Sequence, residues 1–149
     1  MTPSDEAMSL LKNTLAIHED VLTHGVEEVD EEDLGFVYGE EAGQRDLLRI
    51  FEGVPDDTPA IQVAYLTRAL ACAQVFNNGN KRTATILGDF WLAEKGLRIE
   101  ALPEELEGYM VGILERCPSI PLQANALHST DSAFQFALAW LRNRIVRIN

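Results

Sequence analysis

The chain has 149 residues, 46% hydrophobic and 24% charged, with 24 acidic against 12 basic side chains and a formal net charge of −12. A chain of this length buries about 70% of the surface it exposes when unfolded, enough for a single domain over residues 1–149, and its ordinary composition excludes fibrous and disordered classes. The acidic excess repels nucleic acid and anionic membrane, so neither is expected as a partner.

Only three of the bases are lysines. Such a surface suits an ordinary acidic cytoplasmic protein, and equally one adapted to high salt, where repulsion between carboxylates is screened. Asp5 and Glu6 precede a leucine pair where a signal peptide would carry a basic region, and no apolar run reaches membrane-spanning length. A cytoplasmic location follows as the default. Cys72 and Cys117 are too few and too far apart in sequence for a disulfide framework or a zinc site and read as small core residues.

Helical signals dominate, and the expected class is all-α, a single helical bundle with a short β-hairpin flap. Thr2, Pro3 and the acids after them predict a first helix over about 3–24, ended by Gly25. Six acids between Glu27 and Asp33 read as a solvated loop. Gly35, Gly39 and Gly43 around Phe36, Val37 and Tyr38 then allow a hairpin. A short helix over about 44–52 follows, and Asp57, Thr58 and Pro59 announce a long buried helix running to Gln74. A further helix spans Lys81 to Glu94 and stops before Gly96, and another runs from Pro103 towards Pro118. Phe134, Ala137, Leu138, Leu141, Ile145 and Ile148 share one face of a last helix, with Arg142, Arg144 and Arg147 opposing the negative end of its dipole.

The most informative stretch is QVFNNGNKR, residues 74–82. Asn77, Asn78, Gly79 and Asn80 interrupt an apolar run, and Lys81 with Arg82 opens the next helix. Unpaired N–H groups at a helix start, together with its dipole, favour an anion. Lys81 adds a point charge and Arg82 a planar fork for phosphate oxygens. The plainer alternative is a helix junction in which Gly79 is left-handed and Asn80 caps the next helix.

This stretch resembles the signature of the Fic/Doc proteins, H-x-F-x-[DN]-[GA]-N-[GK]-R, and is most similar to its Doc-like (death-on-curing) version through Phe76, Gly79, Asn80, Lys81 and Arg82. IHEDVL at 17–22, GQRDLL at 43–48 and LAEKGL at 92–97 look like flanking segments of the family. The resemblance implies a helical fold that transfers AMP or a phosphoryl group from a nucleotide to a protein hydroxyl. It implies ATP or another nucleotide with Mg²⁺ bound at Phe76, Asn77, Gly79, Asn80, Lys81 and Arg82. It also implies a protein target lying along a flap near Phe36 to Tyr38, and an antitoxin-like partner. The family's inhibitory helix, [ST]-x-x-x-E-[GN], finds only a poor echo at Thr2 to Glu6, where Ala7 fails the last position.

Two departures fall on the chemistry. The resemblance places the catalytic base at Gln74 and the acidic metal ligand at Asn78. A carboxamide has no proton affinity near neutral pH, and general base catalysis is worth roughly 10²- to 10⁴-fold. A neutral amide oxygen is also a weak Mg²⁺ ligand. The expectation is a nucleotide-binding, toxin-like transferase weakened or inactive at Gln74 and Asn78, with Lys81 and Arg82 still able to neutralise charge. The alternatives are a non-catalytic interaction module, and a true transferase with another base. Candidates for that base or for metal work are His18, His24, His128 and Asp89. His18 reads first as a structural or surface residue, and Asp89 as one that caps or pairs internally.

Overall fold

The computed structural model describes residues 3–24, 35–118 and 131–149. Its elements run α1 (Asp5–Thr23), α2 (Glu40–Glu52), α3 (Pro59–Ala73), α4 (Asn80–Ala93), β1 (Leu97–Ile99), α5 (Pro103–Leu114), α6 (Ser132–Leu141) and β2 (Ile145–Arg147). The fold is all-α, with one two-stranded antiparallel sheet made by β1 and β2. Gly25, the acidic run 27–33 and His128 lie outside the described residues.

The starts follow local chemistry. Ser4 Oγ accepts the Ala7 N–H and caps α1. Thr58 Oγ1 accepts the Ile61 N–H of α3, whose first residue is Pro59, a position where the missing proline N–H has no partner to lose. At the start of α5, Glu105 Oε1 accepts the N–H of Leu102. Helix α3 is buried without a break from Val63 to Cys72 and is the centre of the core. Its one cation, Arg68, is 1% exposed. Its Nη2 donates to Asp131 Oδ2 at 2.6 Å, and Asp131 in turn caps α6 through the Phe134 N–H. That buried pair joins α3 to α6.

Three sequence expectations are corrected. Helix α2 begins at Glu40, not near Gln44. Gly43 is inside it because the Phe36 ring occupies the space a Cβ would need, so a glycine read as loop is a packing glycine. The last helix stops at Leu141, and Ile145 passes into β2, opposite Ile99, while Ile148 is exposed. β-branched Ile145 and Val146 suit a strand, and the helical spacing continues through the break by coincidence. Arg144 still serves the helix end, donating Nη1–H to the Trp140 carbonyl at 3.0 Å with its guanidinium over the Trp140 ring. Finally, Cys72 and Cys117 are joined as a disulfide, their Cα atoms 5.5 Å apart. It ties the end of α3 to the chain after α5, and the two cysteines are not separate core residues.

Candidate phosphate-binding turn

Gln74 leaves α3 in a left-handed conformation, φ 51° and ψ 49°, among the described residues the only non-glycine with positive φ. Its carboxamide is committed on both ends: Nε2 donates to the Ala71 carbonyl and Oε1 accepts from Asn80 Nδ2 at 3.4 Å. Phe76 is 3% exposed. Its backbone bridges Phe36, with Val37 N–H donating to the Val75 carbonyl and Asn77 N–H to that of Gly35, each at 3.0 Å. The segment expected as a flap is thus paired, in its described part, with the turn itself. Val37 and Tyr38 are exposed.

Asn80 is buried and holds the turn closed. Its Oδ1 accepts the Phe76 N–H at 3.0 Å and its Nδ2 donates to the Phe76 carbonyl at 2.8 Å. It is the first residue of α4, so the expectation that its side chain caps the helix is corrected. Gly79 is the cap, left-handed at φ 78° as expected, with no side-chain bond to the helix start. The first backbone bond of α4 is Thr83 N–H to the Gly79 carbonyl. Left-handed Gly79 followed by right-handed Asn80 turns successive N–H groups towards one side, a concavity suited to an anion. Asn77 and Asn78 are exposed there, so the bend opens to solvent.

The two cations diverge, as adjacent helical positions must. Lys81 Nζ donates to Glu107 Oε1 of α5 at 2.8 Å, whereas Arg82 is exposed. Asn78 Oδ1 accepts the Gly79 N–H at 2.8 Å. The oxygen at the position expected to hold a metal is therefore occupied by its own turn. Among the described residues no group of three or more His, Cys, Asp or Glu side chains could hold a metal ion. The turn thus offers no carboxylate at the position expected to hold Mg²⁺.

One histidine weighed in the sequence as a candidate base, and read first as structural or surface, lies against the turn. His18, from α1, is 3% exposed, and its Nε2 lies 2.8 Å from the Asn78 carbonyl oxygen. Its ring stacks on Phe76 with centroids 3.7 Å apart and planes 11° apart. Burial lowers its pKa below the usual imidazole value, partly opposed by the bond to Asn78. Only its place in IHEDVL set His18 apart in the sequence. His24 is exposed and paired with Asp20 at 2.8 Å. Asp89 sits on the outer side of α4 beside exposed Ile86 and Phe90, its carboxyl pKa raised by partial desolvation and its position remote from the turn in the helix.

The family model for Fic/DOC matches residues 9–92, more than half the chain, from the second turn of α1 to the last residue but one of α4. The chain belongs to the Fic/DOC family. No curated protein and no solved structure matches it. Membership accounts for the helical fold, and the family's general activity is that of a transferase. No helix is long and apolar enough to cross a membrane among the described residues. In Fic/DOC terms, α3, the turn and α4 carry the signature, and α1 and the Phe36 segment are packed on it.

Proposed function

We propose that this Fic/DOC protein, of the Doc-like branch, binds the phosphates of ATP or another nucleotide on the turn 77–82, with its transferase activity weakened at Gln74 and Asn78. The observation that carries this reading is the start of α4: a left-handed glycine, no side-chain cap, and an exposed bend in an otherwise apolar run. Peptide N–H groups of Asn80 and Lys81 would meet phosphate oxygens, and Arg82 would add a charged fork. Lys81 would exchange exposed Glu107 for phosphate, a small loss for a surface ion pair.

The transfer itself would need a proton taken from the target hydroxyl. Gln74 can orient that hydroxyl but cannot accept its proton, and both ends of its amide already have protein partners. Loss of a base lowers the rate by roughly 10²- to 10⁴-fold. Mg²⁺ would arrive only with the nucleotide.

A second reading has its own support. Gln74, Asn78, Asn80 and Lys81 all find partners inside the protein, as expected of an interaction module that has kept the fold and docks a target or an antitoxin-like protein near Phe36 to Tyr38. Calorimetric titration with ATP and Mg²⁺ separates the two: heat of binding supports the first and its absence the second. Labelled nucleotide and a protein extract then test catalysis. Label transfer only by the Gln74→His, Asn78→Asp variant supports weakening, whereas transfer by the unaltered protein would mean that another base operates.

A further inference from the structure

His18 takes no part in the chemistry above, yet it reaches the turn from a helix sixty residues earlier in the chain. Its Nε2 faces a carbonyl oxygen, which can only accept, so Nε2 carries the proton and donates. The same ring lies flat on Phe76 and under Gly79, where an added Cβ would meet His18 Cδ2 at 3.5 Å. One imidazole therefore touches residues 76 and 78 and leaves no spare room beside Gly79.

The peptide unit between Asn78 and Gly79 decides what the turn offers to a ligand. In a trans peptide the carbonyl and the following N–H point in opposite directions. Holding the Asn78 carbonyl towards α1 sends the Gly79 N–H away from α1, to where Asn78 Oδ1 meets it. The reverse orientation would put a carbonyl oxygen into the concavity and repel an anion. Glycine has little intrinsic preference between positive and negative φ, so Gly79, at φ 78°, does not by itself prevent the flip.

We infer that His18 is the positioning residue of this turn: by binding the Asn78 carbonyl it keeps that oxygen against α1 and out of the concavity where the N–H groups of Asn80 and Lys81 would meet an anion. Its purpose rests on the phosphate-binding reading above; its geometry does not. The tests use the intact chain with His18→Phe, which keeps a flat ring and loses the donor, and His18→Gln, which keeps a donor. In the unliganded protein, His18→Phe shifts the backbone amide resonances of Gly79, Asn80 and Lys81, and His18→Gln returns them. Where the unaltered protein binds ATP, His18→Phe weakens it about tenfold or more, the effect of one lost hydrogen bond plus a misplaced carbonyl, and His18→Gln recovers most of it.

Unmoved Gly79 to Lys81 amides in His18→Phe would overturn the inference. If the unaltered protein does not bind ATP, the nucleotide reading falls and the amide comparison alone decides this one. Should His18→Phe fail to fold, long-range proton–nitrogen spectra of the unaltered protein decide: a proton on Nε2 upholds the assignment, and a neutral ring protonated on Nδ1 defeats it.

Discussion

Asn80 carries out at one residue what a hairpin would need several to do. It binds both the N–H and the carbonyl of Phe76, four residues back, and closes the bend without a strand on the far side. Asn80→Ala leaves two backbone groups at a buried residue without partners, each worth about 1–3 kcal/mol when abandoned in the interior, so a denaturant midpoint shift equivalent to at least ~2 kcal/mol is expected. Asn80→Asp keeps the acceptor for the N–H and sets a carboxylate against the Phe76 carbonyl, and should recover little. His18 makes a second prediction, with a defined sign. Its folded pKa lies below the ordinary value of about 6.5, so the unfolded chain binds more protons there, and stability is lost as pH falls from about 6.5 through the folded pKa. Above 6.5 His18 contributes no slope. Chemical denaturation of the unaltered protein and of His18→Gln at pH 7.5 and 5.5 isolates this term, and the acid loss should be smaller in the variant. The left-handed Gly79 was legible in the sequence because glycine between asparagines has a local reason to be there. The contacts of His18 were not, because nothing local ties a histidine on α1 to a carbonyl sixty residues on.

At the scale of elements the same division holds. Thr58–Pro59 and Pro103 announced the starts of α3 and α5 through chemistry confined to one turn. Strands β1 and β2 were illegible: each is three residues long, and their pairing, Leu97 with Arg147 and Ile99 with Ile145, joins distant parts of the chain. The start of α2 was misplaced because Gly43 answers to the Phe36 ring. Gly43→Ala should push Phe36 off α2 at a cost of about 1–3 kcal/mol for overpacking, and should raise hydrogen exchange at Val37 and Asn77, whose N–H groups hold that segment to the turn. The disulfide was missed for a similar reason, since sequence separation says nothing of whether two helix ends meet. Closing a separation of 45 residues is worth about 4 kcal/mol in the chain-entropy account. Cys72→Ala, Cys117→Ala, or reduction of the bond, should lower the thermal midpoint by roughly 10 °C. Such a bond is ordinarily at home in oxidising compartments, although the intracellular proteins of some hyperthermophiles also carry it. Because Cys72 lies in the last turn of α3, two residues before Gln74, the loss should also loosen the turn, read as faster exchange at Asn77.

Over the whole molecule the charge is lopsided, and several of the few cations are already spent. Arg68 is buried against Asp131, while Lys81, Arg98 and Arg144 each face a glutamate at the surface. Among the described residues these pairs engage four acids, Asp131, Glu107, Glu100 and Glu105, out of 24 in the whole chain. Two opposite salt responses compete. Surface ion pairs, worth about 0–1 kcal/mol each, weaken as salt rises, and so does repulsion among the unpaired carboxylates, with a screening length of about 10 Å at 0.1 M and 3 Å at 1 M. The buried Arg68–Asp131 pair responds little to either. With a formal net charge of −12 the repulsion is the larger sum, because it acts among all the acids in excess of the bases, while the surface pairs made by lysine or arginine number three among the described residues. Raising sodium chloride from about 0.02 M to about 0.5 M at pH 7.5 should thus stabilise the fold by about 1 kcal/mol, a rise in midpoint of roughly 3 °C. A falling midpoint would show that the surface pairs outweigh the repulsion. The same field would oppose an incoming nucleotide, so the proposed phosphate site would depend on oriented N–H groups at the start of α4, whose partial charges act at contact distance and are screened less than the surface as a whole.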